Sequence, residues 1–553
     1  MSAPLTGIGV SPGTVAGPVA RMSPPPQLPP QTAIVEDSAR ELDTAKNALE
    51  AVGSDLDARA AAAGGEAADV LFAQAMMARD PGLVEKITER VAKGETAPHA
   101  VSGAFEEYRA VLANAGAYMA ERVADLDDIR TRAVATLLGL PMPGIPTPGH
   151  PFVLVAPNLA PADTATIDAT QVLGIVTERG GPTSHTAILA KSLGLPAVVA
   201  CPDAAALAGG EQVLLDGSAG TVTVNPSPEA VAEATGREER RKAALAASSG
   251  PGRTSDGRGV QLLLNIGGEG DLERAVATDA EGVGLFRTEF LFLDRTSAPT
   301  VDEQEAVYAR VFSAFRGRKV VVRTLDAGAD KPLGFVTQPD EPNPALGIRG
   351  LRTSRRFPEL LEDQLTAIAR AAASGGTEVW VMAPMVSTPG EASAFAQMAR
   401  IAGLPKAGVM VEVPAAALRA SAVVAACEFL SLGTNDLAQY TFAADRMEGE
   451  LADLLDPWQP ALLDLVGMAA SAGGAAGKPV GVCGEAASDP LLALVLVGLG
   501  VTSLSMAPVS VPDVRASLAS HTFDECRTFA SLARATADGR SARLAVKEAA
   551  GSS

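Results

Sequence analysis

The chain has 553 residues, and its 65 acidic side chains outnumber its 45 basic ones, which gives a formal net charge of −20. This charge argues against nucleic acid as a partner, because most of the surface would repel a phosphate backbone, whereas a basic protein partner is compatible with it. The length implies about three or four domains. Aromatic side chains make up only 4% of the residues, so the interior must be built mostly from Ala, Val and Leu.

Neither a targeting segment nor a membrane helix is expected from the sequence. The first residues lack a basic stretch followed by an apolar one, and the longest apolar run, near Leu491–Val501, is far short of the roughly 20 residues that a membrane helix requires. The cysteines form no Cys-x-x-Cys pair, so neither a disulfide framework nor a zinc site is suggested. We therefore expect a soluble protein of the reducing cytoplasm. The cysteines are Cys201, Cys427, Cys483 and Cys526.

The first part of the chain combines β-like and helical patterns. A short β-like opening, Gly7–Val19, is followed by an Ala-rich amphipathic pattern from about Asp37 to Leu140, which predicts a helical bundle. Prolines and glycines in Pro141–Pro151 end the bundle, and strand-like patterns continue from Phe152 to about Val224. These patterns predict an α/β domain with a helical domain inserted into it. The predicted bounds are 1–20 and 147–225 for the α/β domain and 21–146 for the inserted domain.

His185 lies at the predicted start of a helix, directly after two glycines and a Thr-Ser pair. The preceding segment, Val172–Thr177, is apolar and β-branched and predicts a buried strand, and Thr183 or Ser184 is suited to cap the helix that follows. Backbone N–H groups and the positive end of the helix dipole would stabilise a phosphoryl group on a ring nitrogen of His185. The alternative is a capped helix whose histidine only packs against its surroundings.

The second half of the chain alternates strand and helix patterns. Residues 226–256 are rich in Ala, Glu and Arg and contain a Ser-Ser-Gly-Pro-Gly segment, which predicts a linker helix followed by a flexible joint. Eight β-like runs then alternate with helical patterns through residues 257–553, and such a series predicts a TIM barrel. The runs are Gln261–Ile266, Gly282–Phe286, Lys319–Leu325, Glu378–Pro384, Ala407–Val413, Glu428–Leu432, Pro479–Cys483 and Thr502–Met506.

Arginines lie at the predicted carboxyl ends of the barrel strands, where active residues of TIM barrels are found. Arg287 and Arg323 close the second and third strands, and such arginines bind phosphate oxygens through a planar fork. Arg349 and Arg446 follow in the loops after the third and sixth strands. Several arginines in one pocket indicate a polyanionic substrate; for each of them, the alternative is a pair with a neighbouring acid.

Two carboxylates and a cysteine lie at the ends of later strands. Glu412 closes the fifth strand and Asp436 follows the sixth, an arrangement that suits Mg²⁺, with an ion pair to an arginine as the alternative for either acid. Cys483 ends the seventh strand, where neighbouring cations would tune its proton affinity. For this cysteine, the alternative is a purely structural role in packing.

His185, Arg287, Arg323, Glu412 and Asp436 lie within five motifs. The motifs are Gly180-Gly-x-Thr-Ser-His185-Thr, Gly284-Leu-Phe-Arg-Thr-Glu-Phe-Leu291, Arg323-Thr-Leu-Asp326 with Asp330-Lys331, Val411-Glu-Val-Pro414 and Leu432-Gly-Thr-Asn-Asp-Leu-Ala-Gln-Tyr440. Together they resemble Enzyme I of the bacterial phosphotransferase system, the phosphoenolpyruvate-protein phosphotransferase family, from Gly7 to about Leu518. The resemblance implies a swivelling phosphohistidine α/β domain with an inserted helical bundle, followed by a C-terminal (β/α)8 TIM barrel.

The resemblance also implies a role for each candidate residue. His185 would take the phosphoryl group of phosphoenolpyruvate, releasing pyruvate, and pass it to a histidine of the carrier protein HPr, the first step of sugar uptake by this system. Cys483 would protonate the enolpyruvate carbon, and the Thr164 hydroxyl would support the His185 ring. The remaining roles are phosphate binding by Arg287, Arg323 and Arg446, with assistance from Arg349, carboxylate binding by Asn435, and Mg²⁺ binding by Glu412 and Asp436.

The same resemblance implies how the domains work. The phosphohistidine domain would swivel at the joint within residues 226–252, the helical insertion would dock HPr, and the barrel would form a homodimer. Residues 118–129 resemble a helix of the family's docking domain, with acidic side chains available for a basic carrier protein. Two departures from the family pattern occur, at Pro182, where arginine is common, and within Gln74–Arg79, where acids and a histidine are common.

Two other functions fit parts of the pattern. Pyruvate phosphate dikinase and phosphoenolpyruvate synthase resemble the chain in the histidine domain and the barrel, but both need an ATP-grasp domain, for which the helical sequence leaves no room. A non-catalytic relative would bind a partner and only sense phosphoenolpyruvate. Retention of His185 together with the arginines, the acids and Cys483 favours the enzyme.

Overall fold

A computed structural model describes residues 4–551 except 23–25, 32–34, 36, 63–65, 114–122, 141–143, 147, 160–162, 164–166, 182–184, 294, 329–332, 338–340, 447, 449–450 and 452. The chain divides into two compact units, Met1–Arg240 and Arg241–Ser553. Several predicted features lie outside the described residues. These are Thr164, Pro182, Thr183, Ser184, Asp330, Lys331 and residues 118–122 of the docking segment.

Unit 1 contains a mixed sheet, and within the described residues it has eight strands. The strands are β1 Leu5–Thr6, β2 Ile8–Ser11, β3 Thr14–Arg21, β4 Phe152–Ala156, β5 Val172–Thr177, β6 Ala197–Val199, β7 Gln212–Asp216 and β8 Thr221–Val224. Their order is β1-β8-β7-β3-β4-β5-β6-β2, in which the neighbours from β3 to β6 are parallel. Every residue of β4 is buried because apolar side chains pack on both faces of the sheet.

The helices of the first unit are mostly inserted between β3 and β4, which are neighbours in the sheet. The inserted helices are α1 Ser38–Ala62, α2 Glu66–Ala78, α3 Pro81–Ala92, α4 Ala97–Ala113 and α5 Val123–Leu137. A further helix, α6 His185–Leu193, lies between β5 and β6. Apolar residues at helical spacing, such as Leu56, Leu71, Ile87 and Ile129, form a core of their own. The helix α7 Pro228–Ala247 begins in unit 1 and ends in unit 2.

Unit 2 is a barrel. Within the described residues, eight parallel strands close on themselves, so the predicted multidomain α/β fold with a C-terminal TIM barrel is confirmed. The strands are β9 Gln261–Ile266, β10 Gly282–Phe286, β11 Lys319–Arg323, β12 Glu378–Ala383, β13 Ala407–Val411, β14 Leu430–Leu432, β15 Val480–Val482 and β16 Ser503–Met506. Several strands end one or two residues before the predicted runs because the chain leaves the ladder there to build loops.

Helices surround the barrel strands. They are α8 Leu272–Ala277, α9 Val301–Ala314, α10 Pro358–Ala373, α11 Pro389–Ile401, α12 Pro414–Leu418, α13 Ala420–Ala426, α14 Thr434–Phe442, α15 Pro460–Ala476, α16 Pro490–Gly498, α17 Val511–Ala519, α18 Phe523–Arg534 and α19 Gly539–Gly551. Their apolar faces and the outward strand residues form one core. A smaller interior cluster fills the barrel and consists of Leu285, Val321, Met382, Met410, Phe429 and Cys483. Within the described part of the chain, none of the helices combines the length and apolar character needed to cross a membrane.

The segment after α7 is bound to the barrel. Arg515 donates a hydrogen bond of 3.3 Å to the carbonyl of Ser248, and the N–H groups of Gly250 and Gly252 donate to side chains of unit 2. The predicted flexible joint is therefore hydrogen-bonded to unit 2 in spite of its composition.

Candidate functional site

Charged side chains gather at the carboxyl ends of the barrel strands. Alternate residues of a strand share a face, so Val321 lies below Arg323 on β11, and Met410 lies below Glu412 at the end of β13. The lower residue of each pair belongs to the apolar interior cluster, whereas Arg323 and Glu412 are buried charged residues. The barrel thus has an apolar layer beneath a charged one.

Arg323 is bound to two acids. Its Nη2 lies 2.7 Å from Oε1 of Glu289, and its Nη1 lies 3.3 Å from Oδ2 of Asp326. Burial opposes the charge of this guanidinium, but the surrounding carboxylates, Glu289 foremost, outweigh it and raise the pKa of Arg323 above its ordinary value. Arg323 therefore stays charged and is held in one orientation.

Arg349 joins Asp326 to Asp436. Its Nη2 donates to Oδ2 of Asp326 at 3.1 Å, and its Nη1 donates to Oδ1 of Asp436 at 3.0 Å and to the hydroxyl of Tyr440 at 3.1 Å. The Tyr440 hydroxyl itself donates to the carbonyl of Ala345. Burial opposes the charge of Arg349, and the two aspartates outweigh this effect and raise its pKa. The sequence placed Arg349 only in a loop; the fold brings it to the centre of the acidic residues.

Glu412 is fully buried and incompletely bonded. Its Oε1 accepts the N–H of Met385 at 2.5 Å, while its Oε2 has no hydrogen-bond partner among the described residues. Burial, followed by the negative charges of Asp436 and Asp326, raises the pKa of this carboxyl to about 8. Met385 has a φ of 56°, a backbone conformation that is costly for a non-glycine residue and that directs its N–H to Glu412. A Cβ at Gly433 would lie 2.9 Å from Oε2 of Glu412, so glycine leaves room for this oxygen in the buried site.

Asp436, Asn435 and Arg446 lie at the start of α14 and in the loop after it. Besides its bond to Arg349, Asp436 places Oδ2 4.0 Å from Nη1 of Arg446, whose side chain is 26% exposed. Asn435 accepts the N–H of Glu485 on its Oδ1 at 3.1 Å, which orients the amide. The structure thus brings these three predicted residues to the same end of the barrel as Arg323 and Glu412.

Cys483 is buried directly after β15. Its pKa is raised by burial, while the hydroxyl of Ser431 and the positive charges of Arg323 and Arg287 act in the opposite direction. Arg287 follows β10 and is exposed. Glu412 adds a smaller effect that raises the pKa of the thiol. The other predicted barrel residues are less exposed than Arg287: Asn435 and Arg446 are partly buried, and the rest are buried. The buried ones are Arg323, Arg349, Glu412, Asp436 and Cys483.

A buried glutamine that the sequence reading missed supports the strand ends. The Gln364 amide nitrogen donates to Oγ1 of Thr288 at 3.1 Å and to the hydroxyl of Tyr308 at 3.0 Å, and its Oε1 accepts the N–H of Leu325 at 2.8 Å. Thr288 in turn donates to the carbonyl of Arg323 at 2.9 Å. The only sequence signal is a polar residue on the apolar face of α10.

His185 is the first residue of α6 in unit 1, and it follows β5 after a turn that contains Gly180 with a φ of 105°. This agrees with the predicted strand, turn and helix. The predicted caps, Thr183 and Ser184, and the supporting residue Thr164 lie outside the described residues.

Three family models match the chain. The PEP-binding domain of PEP-utilising enzymes matches residues 241–523, their mobile domain matches residues 148–220, and their N-terminal domain matches residues 6–122.

Curated relatives match nearly the whole chain. A phosphoenolpyruvate-protein phosphotransferase of Streptomyces coelicolor is 57% identical over 550 residues, which cover 99% of each chain. One of Haloferax volcanii is 40% identical over 539 residues, 93% of this chain and 94% of its own. One of Geobacillus stearothermophilus is 37% identical over 513 residues, 88% of this chain and 85% of its own. With these matches and the (β/α)8 barrel, the chain belongs to the Enzyme I family, the phosphoenolpyruvate-protein phosphotransferases.

Proposed function

We propose that the chain transfers the phosphoryl group of phosphoenolpyruvate to His185, releases pyruvate, and passes the phosphoryl group to a histidine of HPr, the first step of sugar uptake by the phosphotransferase system. The observation that carries the proposal is the enclosed group of Arg323, Arg349, Glu412 and Asp436 at the carboxyl end of a barrel that matches the PEP-binding domain model.

The arginines suit a substrate that carries phosphate and carboxylate. Arg323, Arg446 and the exposed Arg287 would bind the phosphate, Arg349 would assist, and the oriented amide of Asn435 would bind the carboxylate. In the structure Arg323 and Arg349 are paired with acids, the alternative raised by the sequence, but such pairing also keeps both guanidinium groups in place until a stronger anion arrives. Phosphoryl transfer needs little more than alignment and charge stabilisation from such residues.

Glu412 and Asp436 fit a magnesium ion. The unpartnered Oε2 of Glu412 and the repulsion that raises its pKa are what a hard cation would relieve. An ion held by these two carboxylates would complete its shell with water and substrate oxygens. Bound there, Mg²⁺ would neutralise negative charge on the phosphoryl oxygens.

Proton transfer would complete the release of pyruvate. Cys483 would give its thiol proton to the enolpyruvate carbon, and the nearby guanidinium charges of Arg323 and Arg287 would stabilise the thiolate that remains. Thr164 would support the His185 ring through its hydroxyl, and neutral imidazole is the competent nucleophile.

The swivel of the phosphohistidine domain would take place on the N-terminal side of Arg241. Arg241 lies 2.5 Å from the Asp513 carboxylate, and residues after α7 are hydrogen-bonded to the barrel, so the Ser-Ser-Gly-Pro-Gly segment moves with unit 2. The turn of α7 before Arg241 is then the place that absorbs the rotation.

The helical insertion would dock HPr through α2. Phe72 and Met76 on this helix are 46% and 74% exposed, whereas Gln74 is buried and donates to Asp125. Exposed apolar residues in such an arrangement are typical of protein interaction surfaces. The departure at Gln74 therefore lies under this surface, while Arg79 is paired with Glu50 and Asp57.

We further propose a homodimer through the barrel, and a cytoplasmic location, which the free, buried cysteines support.

The test is transfer of label from phosphoenolpyruvate. Wild-type protein, His185→Ala and the control His150→Ala, which changes an exposed histidine, are incubated with Mg²⁺ and labelled phosphoenolpyruvate and then with HPr. Acid-labile label on the wild type and the control alone, followed by its appearance on HPr, supports the proposal. Label that stays on His185 indicates another acceptor, and absence of label favours the non-catalytic sensor.

A further inference from the structure

Ser431 lies on β14, and Cys483 directly follows the neighbouring strand β15 inside the barrel. Ser431 is the middle residue of β14 and pairs in register with Gly481 of β15, so Cys483 lies one side-chain step further along the same face. The Ser431 hydroxyl donates to the Cys483 sulfur at 3.2 Å, and the thiol donates to the carbonyl of Leu432 at 3.5 Å.

The surroundings of this pair are apolar. Ser431 is 5% and Cys483 3% exposed, and the thiol packs with Leu285, Met410 and Phe429 in the interior cluster. In so dry a layer, water competes little with an O–H···S hydrogen bond. The charged groups that act on the thiol come from three other strand ends: Arg323, Arg287 and Glu412.

The choice of hydrogen-bond partner distinguishes Ser431 from another interior serine. Ser505 of β16 is equally buried, and its hydroxyl bonds to the Leu264 carbonyl and the Asn265 amide oxygen. A buried serine is commonly satisfied in this way by the backbone. The hydroxyl of Ser431 is directed instead at the sulfur atom of Cys483.

We propose that Ser431 is a positioning residue for the Cys483 thiol, an inference that rests on the proposed function and extends it. When the P–O bond of phosphoenolpyruvate breaks and the N–P bond to His185 forms, an enolate of pyruvate remains. Its terminal carbon takes the proton of the Cys483 S–H bond, the electron pair of that bond stays on sulfur, and Ser431 stabilises the resulting thiolate by donating its O–H. The thiol is regenerated by a proton from water.

The experiment compares Ser431→Ala with Ser503→Ala in the full chain. Ser503 is a buried interior serine at the start of β16 whose hydroxyl faces Gly481, so both variants remove one oxygen atom from the same barrel interior. Thiolate formation at Cys483 is followed by ultraviolet absorbance against pH, in difference against the same protein carrying Cys483→Ser. Steady-state pyruvate release gives kcat and KM for phosphoenolpyruvate.

Ser431→Ala should form the thiolate at higher pH, with roughly tenfold less thiolate at a given pH, because one hydrogen bond to the charged form is lost. Its kcat should fall by about tenfold with little change in KM, the pattern of an interaction made in the transition state. Ser503→Ala should match the wild type. Identical thiolate titrations for Ser431→Ala and Ser503→Ala overturn the assignment even when pyruvate is released normally. If the wild type releases no pyruvate, the proposed function fails and the catalytic part of this inference falls with it.

Discussion

Replacement of Arg349 by methionine tests the charge balance of the site. The Arg349 guanidinium lies 3.0 Å from an oxygen of Asp436 and 3.1 Å from an oxygen of Asp326. The negative charge of Glu412 raises the pKa of Arg349 further. In Arg349→Met these carboxylates lose that counter-charge while remaining buried. Deleting one partner of a buried ion pair costs about 3–5 kcal/mol, so the barrel of the variant should unfold at a lower temperature than that of the wild type in a metal-free buffer.

Added Mg²⁺ should stabilise Arg349→Met more than it stabilises the wild type. A guanidinium about 4 Å from an incoming Mg²⁺ repels this divalent cation by about 8 kcal/mol at an effective dielectric constant of about 20, and the variant lacks this repulsion. We therefore expect Arg349→Met to bind Mg²⁺ at least about tenfold more tightly than the wild type, which converts to about 1.4 kcal/mol. Calorimetric titration and unfolding scans with and without MgCl₂ measure both quantities, while phosphoryl transfer should be lost.

Arg352→Met provides the matched control. Arg352 lies in the 3₁₀ helix Gly350–Arg355, which Arg349 directly precedes, but it donates to the carbonyls of Leu346 and Gly347 and to Ser387. Its removal should leave the Mg²⁺ response unchanged. Equal increases in unfolding temperature with Mg²⁺ in wild type and Arg349→Met would refute the reasoning, because they would mean that Arg349 does not compete with the metal for the carboxylates.

Three further predictions concern pH and buried polar contacts. Burial and neighbouring carboxylates raise the pKa of Glu412 from 4.5 to about 8. In the absence of metal, the contribution of this group to the free energy of unfolding is therefore full below about pH 4.5 and is lost as the pH rises through about 8. Calorimetry in the presence of a chelator should show this fall in stability with pH, and Glu412→Gln should remove it. Gln364→Leu should lower the free energy of unfolding by about 2–4 kcal/mol, because two buried hydroxyls lose a donor and the N–H of Leu325 loses its acceptor. The exposed Gln397→Leu should leave urea denaturation unchanged, and equal denaturation midpoints for the two variants would contradict the prediction. Arg132→Met should destabilise unit 1 by about 3–5 kcal/mol, since Arg132 is fully buried and lies 2.8 Å from the carboxylate of Asp128 and 2.9 Å from that of Asp163. Arg130→Met, which changes a partly exposed arginine, is the control, and an equal loss of stability in the two variants would count against the prediction.

Several parts of the fold follow from local patterns. The barrel strands were predictable because β-branched and apolar runs recur between helical segments, and a parallel barrel places the residue after each strand at one end. Arg323, Glu412 and Cys483 could be assigned to that end for this reason. The strand, turn and helix around His185 are also local, since the glycines and the short apolar run determine them.

Other parts depend on residues that are distant in sequence. Arg349 and Asp436 are separated by 87 positions, and nothing near either residue indicates that they bond. Gln364 connects two strand ends from a helix, and the joint after α7 is hydrogen-bonded to unit 2 despite a composition typical of flexible segments. A side chain's partners are decided by which elements pack together, which local periodicity does not encode.

The sequence alone thus determined the order of strands and helices, the chemical character of the strand ends and the family that the motifs resemble. The tertiary structure alone decided which acid each arginine contacts, which oxygen of Glu412 is left unpartnered and which hydroxyl meets the Cys483 sulfur. The physical reason is range: secondary structure is set by neighbours along the chain, whereas charge pairing and burial are set by neighbours in space, and these determine the pKa of Glu412 and of Cys483.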